Sequence, residues 1–434
     1  MPRVDPKGNP CSFESAHGLQ DKPWHPQTRL LTLLITLLTL APSALATPEL
    51  TAVETRIRAV VRAMDDAMDN ADTGKYMTHV DPDLPLLLAE QRAWATNLRE
   101  RRPIEIDFTL VEGETIELVE GGAEAEVLLA WTPRADQDEN GRRPEKLEVP
   151  FRARFEPLYP VGENPEDIRW VFSGVAWEVE LHAPDGSRVL AFEHDRAMAE
   201  SMLEVLPDAL ASAAACFNAK TPVATVKLYP TMELLNASIS PGLTAPIAGW
   251  NEPGEAIKLA APALAEGETG PGGPVAVLVH EAAHCVQFAH GERPTRAPWW
   301  VLEGSAERAA SLFSGEQDWP SVDGMVRGMA RFGGLADFDD LAEYDERMPS
   351  GAIRAYLQGH HFVRWLDETR HPGLRNQWLK FLLDGATLDE ASRLIYQAGF
   401  DELDQSWRAS LTDESEPDND GEAGGAGDEE SPEP

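Results

Sequence analysis

Apolar residues recur at helical spacing in two early stretches of the chain. Val53, Ile57, Val60, Val61 and Met64 predict a helix over 48–67, and a second helical stretch lies near 84–100. From residue 103 the period changes to two. The runs IEIDFTLV (104–111), TIELV (115–119), AEAEVLLAW (123–131), LEVPFRARF (147–155) and IRWVFSGVAWEVEL (168–181) alternate and are rich in β-branched and aromatic residues. Each therefore predicts a strand. The charged stretch 134–146 predicts a loop between two of them. Helices followed by long antiparallel strands predict an α+β segment over 48–183.

The pattern then turns helical. Residues 190–217 predict one long helix. VATVKLYP (223–230) and AIKLAAP (256–262) predict short strands among loops rich in Gly, Pro and Asn. From 274 to 411 the chain predicts helix after helix, broken by turns near 291–298, 315–322, 348–351, 371–373 and 384–388. The expectation is an α+β protein: an N-terminal helix-plus-antiparallel-sheet domain, then a mainly helical domain over 190–411 with a small sheet.

The two ends read differently. LLTLLITLLTLA (30–41) follows Arg29 and precedes Ala44-Leu45-Ala46. A membrane helix needs about 20 apolar residues, and this run is shorter. The pattern predicts a signal peptide over 1–46, cut after Ala46, and hence a secreted or periplasmic protein. An uncleaved signal anchor is the alternative; after cleavage no stable membrane span is expected. Residues 412–434 are acidic and rich in Gly and Pro without apolar periodicity, which predicts a disordered tail.

The formal net charge is −37, which argues against a nucleic-acid partner, since phosphate backbones need basic surface. Hydrophobic residues make up 42% of the 434, enough for a sizeable core. Three cysteines, Cys11, Cys216 and Cys285, do not make a disulfide framework. Cys216 and Cys285 could still pair in an oxidising compartment. Oligomeric state is not legible.

The chemistry concentrates in PVAVLVHEAAHCVQFAH (274–290), a helix with Pro274 in its first turn and Gly291 as its stop. His280 and His284, four apart, share one helix face, so both imidazoles can reach a single ion. Glu281 leans from the same turn and can take a proton from water on that ion. A second helix, PWWVLEGSAERAASLF, starts at Pro298 and closes at Gly315. Glu303 lies on it, with 18 residues (285–302) between it and His284. The alternative is an ordinary core helix with incidental histidines. The small residues Gly304, Ser305 and Ala306 predict close packing of this helix on the first.

These two segments resemble the gluzincin branch of zinc metallopeptidases, the peptidase-MA-like families with a thermolysin-like catalytic fold. The likeness is specific at 280–284 and 299–307. It implies zinc held by His280, His284 and Glu303, with Glu281 as general base. It further implies that Glu307 orients His280 by its distal nitrogen; a surface glutamate is the other reading. AYLQGHHFVRWL (355–366) resembles the helix that follows the active site, making Tyr356 the candidate oxyanion stabiliser. A core aromatic is an equal reading of Tyr356, and His360 or His361 could take the role instead. The strand Ile257–Ala260 would line the cleft and pair with extended substrate. The first domain resembles, by element order alone, the cone-shaped fold of nuclear transport factor and polyketide-cyclase-like proteins. An accessory or packing role is expected of it, and no acid–base pair marks it.

The expected function is a secreted zinc-dependent peptidase acting on a peptide or protein substrate. The alternative is an inactive, metal-retaining homologue that serves as a binding or envelope-associated protein. Gluzincin aminopeptidases carry a GxMEN-like segment that none of 220–279 matches, which tilts the reading toward endopeptidase.

Overall fold

The computed structural model describes residues 48–134, 145–159, 168–243, 247–265, 273–317, 319–343 and 349–412. The predicted signal segment, most of the charged loop 134–146 and the acidic tail from 413 lie outside the described residues. The described protein is α+β. Helices α1 (Pro48–Asp69), α2 (Thr73–Met77) and α3 (Pro85–Glu100) precede five antiparallel strands. These are β1 (Glu105–Leu110), β2 (Glu117–Val119), β3 (Gly122–Thr132), β4 (Leu147–Leu158) and β5 (Arg169–Val175), in the order β1-β3-β4-β5 with β2 also on β3. Burial alternates along β1 and β3, as a sheet with one covered face requires. Phe108, Val127, Phe155 and Phe172 join Ile57, Met64 and Trp94 in one core.

The run predicted as a single strand over 168–181 divides in two. Gly174 adopts φ 96°, and residues 176–178 leave the first sheet. Strand β6 (Val179–His182) then pairs with β7 (Arg188–Ala191) in a second sheet. Because β7 takes residues 188–191, α4 (Arg196–Phe217) starts later than the predicted 190. Three apolar residues, Val189 to Ala191, have too little periodicity to separate strand from helix. Asn218 in the left-handed region (φ 53°) ends α4. The expected division between 183 and 190 thus runs through the β6–β7 hairpin; the change of sheet falls at 176–178.

The second sheet is mixed, ordered β6-β7-β8-β10-β9, with β8 (Thr225–Tyr229), β9 (Gly249–Trp250) and β10 (Ile257–Ala260). β8 is parallel to both β7 and β10, and these central strands are buried on both faces. Helix α5 (Met232–Ile239) packs into the core of the first sheet, and α6 (Ala261–Ala265) follows β10.

The remaining chain is helical: α7 (Gly273–His290), α8 (Trp299–Phe313), α9 (Trp319–Arg331), α10 (Pro349–Thr369), α11 (Pro372–Leu383), α12 (Leu388–Tyr396) and α13 (Phe400–Thr412). Helix α8 is buried along most of its length, from Trp300 to Ser311. Its glycine does not serve the contact expected from the sequence. A Cβ on Gly304 would collide with the backbone of Gly359, so Gly304 permits the close approach of α10 rather than α7. A buried ionic network ties this bundle together: Asp367 accepts from Arg308 (3.0 Å) and Arg375 (2.9 Å). Cys216 and Cys285 are free thiols; Cys216 lies 3.5 Å from Arg375, and burial pushes the Cys285 thiol up to about 11. No helix among the described residues is long and apolar enough to cross a membrane.

Candidate metal centre

Helix α7 carries His280 and His284 one turn apart with Glu281 beside them, and the second turn of α8 brings Glu303 against them. His280 Nε2 lies 3.1 Å from Glu303 Oε2, and His284 Nε2 lies 3.3 Å from the same oxygen. The two Nε2 atoms are 3.0 Å apart. These residues are 6–9% exposed, so the cluster is nearly closed from solvent. Tetrahedral zinc with ligands at about 2.0–2.1 Å sets its ligand atoms about 3.3–3.4 Å apart. Three donors of the right chemistry, two imidazole nitrogens and one carboxylate oxygen, therefore converge at spacings that fit one such ion.

Each imidazole is held from behind. His280 Nδ1 lies 3.0 Å from Glu307 Oε1. His284 Nδ1 donates to Gln287 Oε1 at 2.9 Å, while Gln287 Nε2 donates to the Leu302 carbonyl at 3.0 Å. That second bond fixes the amide orientation. With a proton on each Nδ1, both Nε2 lone pairs face the cluster, the usual support for metal-bound histidine. Gln287 escaped the sequence reading. Its signal in the sequence was a lone amide three residues after His284, on the same helix face; the structure buries it fully.

Glu281 sits beside the ligands. Its Oε2 is buried and accepts no hydrogen bond from the described residues. The other oxygen is packed on strand β9: a Cβ on Gly249 would lie 2.6 Å from Glu281 Oε1 and 2.9 Å from its Cγ. A side chain at 249 would displace the carboxylate. The sequence reading gave Gly249 no role. Strand geometry also corrects a second expectation. β10 (Ile257–Ala260) has both edges occupied, by β8 and β9, so it cannot pair with substrate. The edge strand is β9.

Tyr356 of α10 reaches the cluster. Its ring is 5.7 Å from that of His280 and 5.8 Å from that of Trp299, and its hydroxyl pairs with Glu303. His361 is turned away: Nδ1 accepts from Trp407 Nε1 at 3.0 Å and Nε2 lies 3.1 Å from Asp323. His360 packs on Trp319 and acts on Glu307 through its charge. Neither lies among the three converging donors.

The electrostatics are lopsided. Glu252, Glu281, Glu303 and Glu307 gather around two imidazoles. Burial favours a neutral Glu303, but His284 and His280 outweigh it and hold its carboxyl far below the ordinary range. Burial raises the Glu281 carboxyl, and the two histidines offset only part of that rise. Burial, then Glu255, pushes Glu252 up to about 7. Burial disfavours charge on His280, yet its contacts with Glu303 and Glu307 win and raise it well above its usual value. Burial thus holds Glu252 and Glu281 toward their protonated forms, beside two imidazoles raised above their ordinary value.

No protein-family model and no curated protein matches this chain.

Proposed function

We propose that the chain is a zinc-dependent peptidase of the gluzincin type, its metal held by His280, His284 and Glu303. The observation that carries this reading is the convergence of those three donors beside a buried carboxylate with an open oxygen. Zinc in this position supplies an acidified water and a Lewis acid for a carbonyl. Glu281 takes the proton of the attacking water and returns it to the leaving amine. Its seat against Gly249 holds the carboxylate at one place, which removes a reorganisation cost from the reaction. Tyr356, at the same cluster, is the group available to donate to a developing oxyanion. The edge strand β9 offers backbone groups to an extended substrate. The segment 29–46 supports a setting outside the cytoplasm.

The test is hydrolysis of a mixed peptide library by the wild type and by Glu281→Gln at equal zinc content. Loss of the general base should lower the rate about 10²–10⁴-fold while zinc is retained. Zinc without any Glu281-dependent cleavage would instead assign the chain a non-catalytic binding role.

A further inference from the structure

A cavity of about 550 Å³ has none of the metal-centre side chains in its wall. Its volume falls in the roughly 300–1,000 Å³ range of small-molecule sites. The inner wall is apolar: Met64, Trp94, Phe108, Leu129 and Phe172 line it, all buried. The first sheet does not form the site alone. Lys227 and Tyr229 of β8, with Leu234 and Ala237 of α5, close it from the other side. Close-packed interiors hold few voids larger than a water molecule, because an empty void forfeits contacts over its whole lining.

The charges in the wall cancel. Deep inside, Lys227 donates to Glu90 at 2.5 Å, the two side chains 10% and 4% exposed. Burial raises the Glu90 carboxyl, but Lys227 outweighs it, so Glu90 stays ionised. Two further pairs in the lining, Arg154–Glu156 (2.8 Å) and Arg188–Glu180 (2.7 Å), are partly solvent-exposed and mark the mouth. A charged ligand would enter without a counter-ion, at high desolvation cost. Lys227 has three N–H groups and gives one to Glu90, so it can donate to a neutral oxygen.

We propose that this cavity binds an uncharged, largely apolar small molecule carrying a hydroxyl or carbonyl oxygen that accepts from Lys227. The test uses the full chain and the neutral fluorophore N-phenyl-1-naphthylamine, with 1-decanol, decanoate and decylammonium as competitors. Saturable binding of one fluorophore per chain is expected, with 1-decanol displacing it at concentrations at least about tenfold below either charged analogue. Filling the cavity by Leu129→Trp, or by Leu84→Trp at its more exposed edge, should weaken fluorophore binding at least tenfold. The double variant Glu90→Leu/Lys227→Met should keep fluorophore binding but weaken 1-decanol about tenfold, the usual worth of a hydrogen bond from a charged donor. Absence of saturable binding, equal displacement by the charged analogues, or unchanged binding in both tryptophan variants would overturn the proposal.

Discussion

Two of the buried polar clusters among the described residues hold their charge in different ways. At Glu90–Lys227 one carboxylate meets one ammonium, and the pair is neutral within itself. At His280–His284–Glu303, four acidic side chains gather around two imidazoles, and Lys258, whose charge reaches Glu252, is itself paired with Glu255 at 2.9 Å. Burying charge is tolerated only when it is paired or held on a metal. The first cluster therefore needs nothing added. On the proposed reading, the second is completed by a metal cation.

The sharpest way to break this contrast is to unbalance the neutral pair. Lys227→Met strands Glu90 in the interior and should cost about 3–5 kcal/mol of stability. Glu90→Leu/Lys227→Met should recover most of it, measured by urea unfolding. A single variant as stable as the wild type would mean the pair is not buried as described. Next in size, Gly249→Ala should push Glu281 from its seat and lower kcat about 10–100-fold, because misplacement by an ångström costs about that much. Zinc content should not change; a kcat within twofold of wild type would remove Gly249 from the account.

The smallest effect concerns Glu252. Its carboxyl is raised from 4.5 to about 7 by burial and then by Glu255. A raised acid binds its proton more tightly in the folded chain. Its stabilising contribution is thus full below about 4.5 and is lost as pH rises through about 7. In chelator, the stability of Glu252→Gln relative to wild type should grow across that window. A gap that stays constant from pH 4.5 to 8 would show that Glu252 titrates normally.

Much of the candidate centre was legible because it follows helix geometry. The i, i+4 spacing puts His280 and His284 on one face whatever surrounds them. Glu303 and Glu307 followed from a second helix and a family likeness, and both lie at the cluster. What sequence could not supply depends on pairing across long separations. Gly249 meets Glu281 only because β9 folds beside α7, and Gly304 finds Gly359 rather than α7. The break of 168–181 into two sheets turns on one glycine in the left-handed region. β10 looked like a substrate edge until β9 was seen to occupy it. The cavity was invisible in sequence, since its wall is an ordinary apolar pattern and its ion pair joins residues 137 apart.

The account stands most directly on metal stoichiometry, by mass spectrometry of the purified chain, the wild type beside His284→Ala. One zinc per wild-type chain, and a near-complete loss in the variant with its fold retained by circular dichroism, is the predicted result. A wild type without stoichiometric metal, or a variant that keeps its full complement, would contradict it.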